Sequence, residues 1–290
     1  MPVGRAALVA LALAGLVGLA AGCSGSDRGS AGDAGSSSSA ATPASTTTVV
    51  PRSFRAEVAD EAEVDGNYRQ GIARSGDGWI FTTNNAIYRT DGRFVQTAAH
   101  LDAIPADLAA QGFDHLGDPD VASGLIWVPV ERADKTTAQQ VTARYDEDTL
   151  AFVDAIVVPQ HHNAFVGVDG GIAYSTDEFS DDTIVRYRVV DGKAVAIDPL
   201  PLSRTIERIQ GGDVADGALW LSTDDDHNGV YRVDLETGDV QDLGSAGHVD
   251  GEGEGIDATD LGGALLHVLV ADEAIVPMWV VDLEVASEPA

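Results

Sequence analysis

Five polar clusters recur along this chain at nearly constant intervals, and that repeat limits the folds open to it. The clusters are Gln70-Gly71, His115-Leu-Gly-Asp118, His161-His162-Asn163, Gln210-Gly211-Gly212-Asp213 and Glu254-Gly255. Their first residues are 45, 46, 49 and 44 positions apart. A unit of this length is too small to bury its own apolar faces, so it must stack against copies of itself.

Each cluster is followed by short apolar runs separated by turn residues. One set reads Trp79-Ile-Phe-Thr-Thr, Leu125-Ile-Trp-Val-Pro-Val, Ile172-Ala-Tyr-Ser-Thr, Ala218-Leu-Trp-Leu-Ser-Thr and Leu265-Leu-His-Val-Leu-Val. The next set reads Ala86-Ile-Tyr-Arg, Val141-Thr-Ala-Arg-Tyr-Asp, Ile184-Val-Arg-Tyr-Arg-Val, Val230-Tyr-Arg-Val-Asp-Leu and Met278-Trp-Val-Val-Asp-Leu. Runs this short, rich in β-branched and aromatic residues, are strands. Asp191-Gly192, Asp216-Gly217 and Asn228-Gly229 suit two-residue hairpin turns, whose central positions both need positive φ.

Four strands every 40–50 residues is the pattern of a propeller blade. The expected fold is therefore an all-β, five-bladed β-propeller, with a six-bladed ring and a pair of stacked β-sandwiches as alternatives. The fifth unit has three strands before the chain ends. Phe54-Arg-Ala-Glu-Val-Ala59 can supply the fourth, so the N- and C-terminal strands close the ring and leave no open edge there.

The N-terminus carries a different signal. Arg5 precedes an apolar run from Ala6 to Ala21, which ends in Leu19-Ala-Ala-Gly-Cys23. A positive charge before a short apolar stretch is the layout of an export signal. The run is short for a bilayer, which needs about 20 apolar residues. Small residues before a single cysteine resemble the lipobox of bacterial lipoproteins. That resemblance implies cleavage before Cys23, lipid on its thiol, and a partner in the membrane itself. The expected organisation is a signal peptide over 1–22, a lipidated Ser/Gly/Ala/Thr-rich tether over 23–50 and a propeller over 51–290, outside the cytoplasm. Cys23 is the sole cysteine, so no internal disulfide can form.

The formal net charge is −30, from 47 acidic and 17 basic side chains. Such a surface repels nucleic acid, which excludes DNA and RNA partners. A small molecule or an envelope protein remains open as partner.

In a propeller the first strand of each blade faces the axis. The clusters then place Gln70, His115, Asp118, His161, His162, Asn163, Gln210, Asp213 and Glu254 at one end of a polar central channel, as candidate metal ligands. A bland alternative is a wet channel whose polar groups bond water and each other. The oxygen donors suit calcium, which takes 6–8 oxygen ligands; the histidines suit zinc. Acidic composition leans toward calcium. Asp224-Asp-Asp226-His-Asn228-Gly229 matches the first half of a calcium loop, but Leu235 stands where a glutamate is needed, so a hairpin explains it better. No Gly-x-Ser-x-Gly, His-Glu-x-x-His or phosphate-loop sequence occurs.

Gln70-Gly71 before a strand, the five units and the export context resemble the plant-type glutaminyl cyclotransferases, which implies a five-bladed ring and an aminoacyl cyclotransferase. Glu254, Asn163, Asp118 and Asp213 are also the residue types of the calcium-dependent lactonase propellers. That resemblance implies a metal-dependent hydrolase of lactones or esters, with His115 or His162 as general base. The broader expectation is an envelope-anchored binding or interaction module.

Overall fold

The computed structural model describes residues 52–178, 181–272 and 277–289. Cys23, its export segment and the tether lie outside them. Strand β1 (Arg52–Val64) comes first. The first blade is β2 (Gly71–Ser75), β3 (Gly78–Thr82), β4 (Ile87–Thr90) and β5 (Gln96–His100). A short helix α1 (Ala106–Ala109) leads into the second: β6 (Phe113–Leu116), β7 (Asp120–Ala122), β8 (Leu125–Arg132), β9 (Gln140–Asp146) and β10 (Phe152–Val158). The third is β11 (Gly167–Asp169), β12 (Ile172–Ser175), β13 (Asp181–Val190) and β14 (Lys193–Ile206). The fourth is β15 (Ile209–Ala215), β16 (Ala218–Thr223), β17 (Gly229–Asp234) and β18 (Val240–Ser245). The fifth is β19 (Gly253–Asp257), β20 (Leu265–Ala271) and β21 (Met278–Pro289), completed by β1.

The chain thus forms a ring of five antiparallel sheets, a five-bladed β-propeller. The closing strand falls where the sequence places it. β1 pairs antiparallel with β21, from Arg52 opposite Pro289 to Val64 opposite Met278. Phe54 then sets its ring edge-on against Trp220 of the fourth blade, with centroids 6.2 Å apart. The apolar faces of neighbouring blades meet in continuous clusters. One of them joins Trp220, Ile256, Leu266, Val268 and Val281 across blades four and five.

Hairpin chemistry accounts for two of the three turn pairs. Asp191 and Gly192 have φ of 50° and 72°, and Asp216 and Gly217 have 52° and 72°. The third pair differs: Asn228 has φ 49° and Gly229 is not left-handed. Here the Asp225 carboxylate organises the turn by accepting the amides of His227 and Gly229 at 3.2 and 3.0 Å and the Tyr231 hydroxyl at 2.9 Å. Its oxygens serve the turn. Gly229 is required by crowding, since a Cβ there would lie 2.7 Å from the Tyr231 ring.

The inner strands correct the register read from the polar clusters. In blade two the inner strand is split into β6 and β7, and Asp118 between them reaches the axis, three residues beyond His115. In blade three the axis is reached at Phe165, beyond His161, His162 and Asn163. The equivalent axial residues are Gly71, Asp118, Phe165, Gly211 and Gly255, at intervals of 47, 47, 46 and 44. Their backbones nearly touch. A Cβ on Gly71 would stand 2.5 Å from the Asp118 Cα, one on Gly211 2.7 Å from the Gly255 Cα, and one on Gly255 2.7 Å from the Gly71 Cα. Glycine is the residue that permits such approach.

Candidate functional site

At this level the described inner strands leave no open bore, because the Asp118 side chain fills it. Asp118 is fully buried. Its Oδ1 accepts the Ile72 amide of blade one at 3.0 Å. Its Oδ2 accepts the amides of Gly212 in blade four at 2.9 Å and Ile256 in blade five at 3.3 Å. Its own amide donates to the Ala164 carbonyl at 2.8 Å, and its carbonyl accepts from Val166 at 3.3 Å, both in blade three. One residue of blade two therefore bonds the other four blades. Both carboxylate oxygens act only as acceptors, which is the geometry of the charged form. Burial pushes the carboxyl well above the usual range, and the three amides pull it back.

Two residues further along the inner strands lies a set of aspartates that the cluster reading did not single out as a group. Asp120 accepts the Val168 amide of the next blade at 2.6 Å, Asp213 the Ala258 amide at 2.7 Å, and Asp257 the Arg74 amide at 2.7 Å. Each carboxylate latches its blade to the following one. A legible sign was present: Asp118-Pro-Asp120, Gly211-Gly-Asp213 and Gly255-Ile-Asp257 share an aspartate two positions after the axial residue. Burial pushes Asp120 and Asp213 up to about 7, with neighbouring carboxylates adding to the shift. Asp257 is raised for the same reasons. Nearby, His267 holds the Asp282 carboxylate at 2.6 Å through Nδ1 and Asp260 at 3.1 Å through Nε2, edge-on to Trp79 at 4.7 Å. Burial opposes its charge, but these carboxylates outweigh burial and raise its pKa.

These shifts set the pH dependence of stability. A carboxyl raised in the folded state binds more protons folded than unfolded from about pH 4 to 7, so stability falls as pH rises through that window. His267, raised as well, loses its contribution as pH climbs through its folded pKa. We therefore expect Tm to fall by roughly 5 °C between pH 5.5 and 8 at constant ionic strength. Asp213→Asn should flatten that slope. A Tm that is level or rising over this range would show that the aspartate latch is charged at little cost.

The remaining candidates lie at the end where the inner strands begin, and they separate into three groups. Asn163 is fully buried and its amide is committed: Nδ2 donates to the Val141 carbonyl at 3.0 Å and Oδ1 accepts the Ser175 hydroxyl at 3.0 Å. Gln70 is half-buried and donates to the Arg69 carbonyl at 2.9 Å; Gln210 is half-buried too. His162 places Nε2 3.7 Å from the buried Glu131 carboxylate, which also takes the Asn163 amide and the Lys135 ammonium. Burial lowers the pKa of His115 and of His162, against the pull of Glu131 on both. Both are therefore neutral at pH 7. Glu131 itself gave no sequence signal, since it ends an apolar strand run.

His161 stands apart. Its Nδ1 lies 3.2 and 3.3 Å from the Asp177 oxygens, and Glu178 is beside them. Ligand atoms of His161, Asp177 and Glu178 all lie within 4.8 Å of one another. Among the described residues this is the one group of three that could hold a metal ion. The nine candidates named from the clusters thus do not share one coordination sphere. Asp177 and Glu178 were missed because they lie in the bend after a second strand, β12, and only the tertiary fold brings them to His161.

Glu254 is the remaining candidate. It is 5% exposed and precedes the axial Gly255. Its carboxyl has no hydrogen bond or ion pair among the described residues. Burial pushes it well above the ordinary range, Glu252 and Asp118 push the same way, and Arg69 opposes them.

A five-bladed β-propeller with a sealed axis is the class these observations define. No protein-family model matches the sequence, and no curated protein matches it. Solved structures do. Hydrazine synthase of Kuenenia stuttgartiensis is 13% identical with a TM-score of 0.44, over 72% of this chain and 57% of that one. This chain therefore spans little more than half of it. The computationally designed Ika8 protein is 11% identical with a TM-score of 0.36, over 72% of this chain and 73% of that one. Neither likeness bears on activity.

Proposed function

We propose that this protein is a lipid-anchored, extracytoplasmic binding module that captures a small cation at the end of the propeller bearing Glu254. Lipid on Cys23 and the 23–50 tether hold the ring at the membrane. The observation that carries the reading is the buried, unpartnered Glu254 carboxyl. Ionising a carboxyl in so buried a position without an ion-pair partner is costly, and such groups concentrate at functional sites. Two further acids, Glu252 and Asp118, act on it, so the ligand that relieves the cost is positive. An organic ammonium and calcium share that chemistry.

The test is thermal unfolding of the full-length protein in detergent, with calcium in one arm and ethanolamine and putrescine in another. One arm should raise Tm saturably. Glu254→Gln should abolish that rise while leaving the ligand-free protein as stable, or about 1 kcal/mol more stable. If Glu254→Gln keeps the ligand response, or unfolds the protein outright, the carboxyl is structural and the reading fails.

A second reading, a metal-dependent hydrolase of lactones or esters, is favoured by one observation. His115 and His162 are neutral imidazoles beside Glu131, which is the state a general base requires. Metal-dependent lactone hydrolysis that His162→Ala eliminates would establish it.

A further inference from the structure

We infer that His161, Asp177 and Glu178 form a zinc site on the third blade, separate from Glu254 and independent of the proposal above. Three features support it.

The first is the donor set. One imidazole nitrogen and two carboxylates, with ligand atoms all within 4.8 Å, are donor types that zinc accepts, at the ligand count of an open zinc site. Calcium needs twice as many oxygens. The His161 Nδ1 is already aimed at Asp177 at 3.2 Å. Zinc would take the place of the proton between those atoms, releasing it to solvent.

The second is charge. Among the described residues, neither Asp177 nor Glu178 has a lysine or arginine within ion-pair distance. Asp177 pairs only with His161, whereas Glu131 nearby is neutralised by Lys135. Two adjacent carboxylates without a lysine or arginine partner among the described residues form a negative site.

The third is rigidity, with unsatisfied polar groups at its base. The Asp181 carboxylate accepts the amides of Asp177 and Glu178 at 3.1 and 3.3 Å. The His162 amide donates to the Asp177 carbonyl at 3.0 Å, and the His161 amide to the Asp177 carboxylate at 2.5 Å. Gln160, fully buried, donates to the Ser175 hydroxyl at 3.0 Å and to the Thr176 carbonyl. The two segments carrying the ligands are therefore fixed against each other before any ion arrives. In those same segments the Gln160 Oε1 and Thr176 Oγ1, on residues with no exposure, have no hydrogen-bond partner. Buried polar atoms are rarely left in that state. Three protein ligands leave a fourth position open to water or to an anionic group of a bound molecule.

The experiment uses the full-length lipidated protein in detergent, stripped with chelator, and zinc titrated against a chromophoric zinc indicator. One zinc per chain is expected, undisturbed by millimolar calcium. His161→Ala and Glu178→Gln should each weaken binding at least tenfold. Glu178 is exposed, so its substitution leaves the fold intact. His227→Ala, at the other acid-paired surface histidine (3.1 Å from Asp225), should change nothing. Substoichiometric zinc, equal displacement by calcium, or full binding by both site variants would overturn the assignment. Because the Glu254 test reads calcium and amines, each proposal can fail without the other.

Discussion

Replacing Asp118 with alanine should leave a chain that unfolds at least about 4 kcal/mol more easily, or does not fold at 37 °C. The side chain is fully buried and accepts amides from Ile72, Gly212 and Ile256, in three different blades. Alanine leaves all three donors buried without partners, and each orphan costs roughly 1–3 kcal/mol. It also opens a void where four inner strands converge. Asp118→Asn separates the two contributions. Its carbonyl oxygen can keep one side of the clasp, but its amino group then faces other amide donors. Urea unfolding should therefore rank wild type above Asp118→Asn, and Asp118→Asn above Asp118→Ala. An alanine variant within about 1 kcal/mol of wild type would mean the ring is held by its apolar blade faces alone.

Deleting residues 52–64 should have an effect of similar size by another route. β1 contributes little apolar burial, since most of its side chains are exposed. What it supplies is an antiparallel ladder along β21, interrupted by one bulge at Ala59, and the Phe54 contact with Trp220, with the Arg232 guanidinium 4.5 Å from the Phe54 ring. Without it, β21 becomes a long open edge, and the cluster holding Val281 and Leu283 loses Phe54 and Ala56. Open edges of this kind recruit other chains. The truncated protein is expected in aggregates, and a synthetic 52–64 peptide added during refolding should recover folded monomer. A truncated chain that refolds alone with an unchanged midpoint would show that closure by β1 is dispensable.

The blade count and the identity of the closing strand were legible because they depend on local chemistry. Trp79–Thr83, Leu125–Val130 and Ala218–Thr223 are strands by composition, and Asp191-Gly192 and Asp216-Gly217 turn where positive φ is cheap. The site was less legible. His115 and the His161–Asn163 cluster kept the cadence of the repeat yet sit two to four residues short of the axial positions. Polar residues cluster both at strand entrances and at the axis, and spacing alone does not distinguish them. The glycines opposite Asp118 were the better guide, because backbones of different blades approach closely at the axis.

The sequence by itself determined the all-β repeat, the five units, the ring closure and the acidic surface, since each follows from side-chain periodicity, turn preference or simple charge. Only the tertiary structure decided which polar residues meet. It brought Asp118 to amides 46, 94 and 138 residues away, and carried Asp177 and Glu178 to His161. It also left the Glu254 carboxyl buried without a hydrogen bond or ion pair among the described residues. Such pairings depend on where separate blades approach each other, which is a property of the closed ring and not of any one segment.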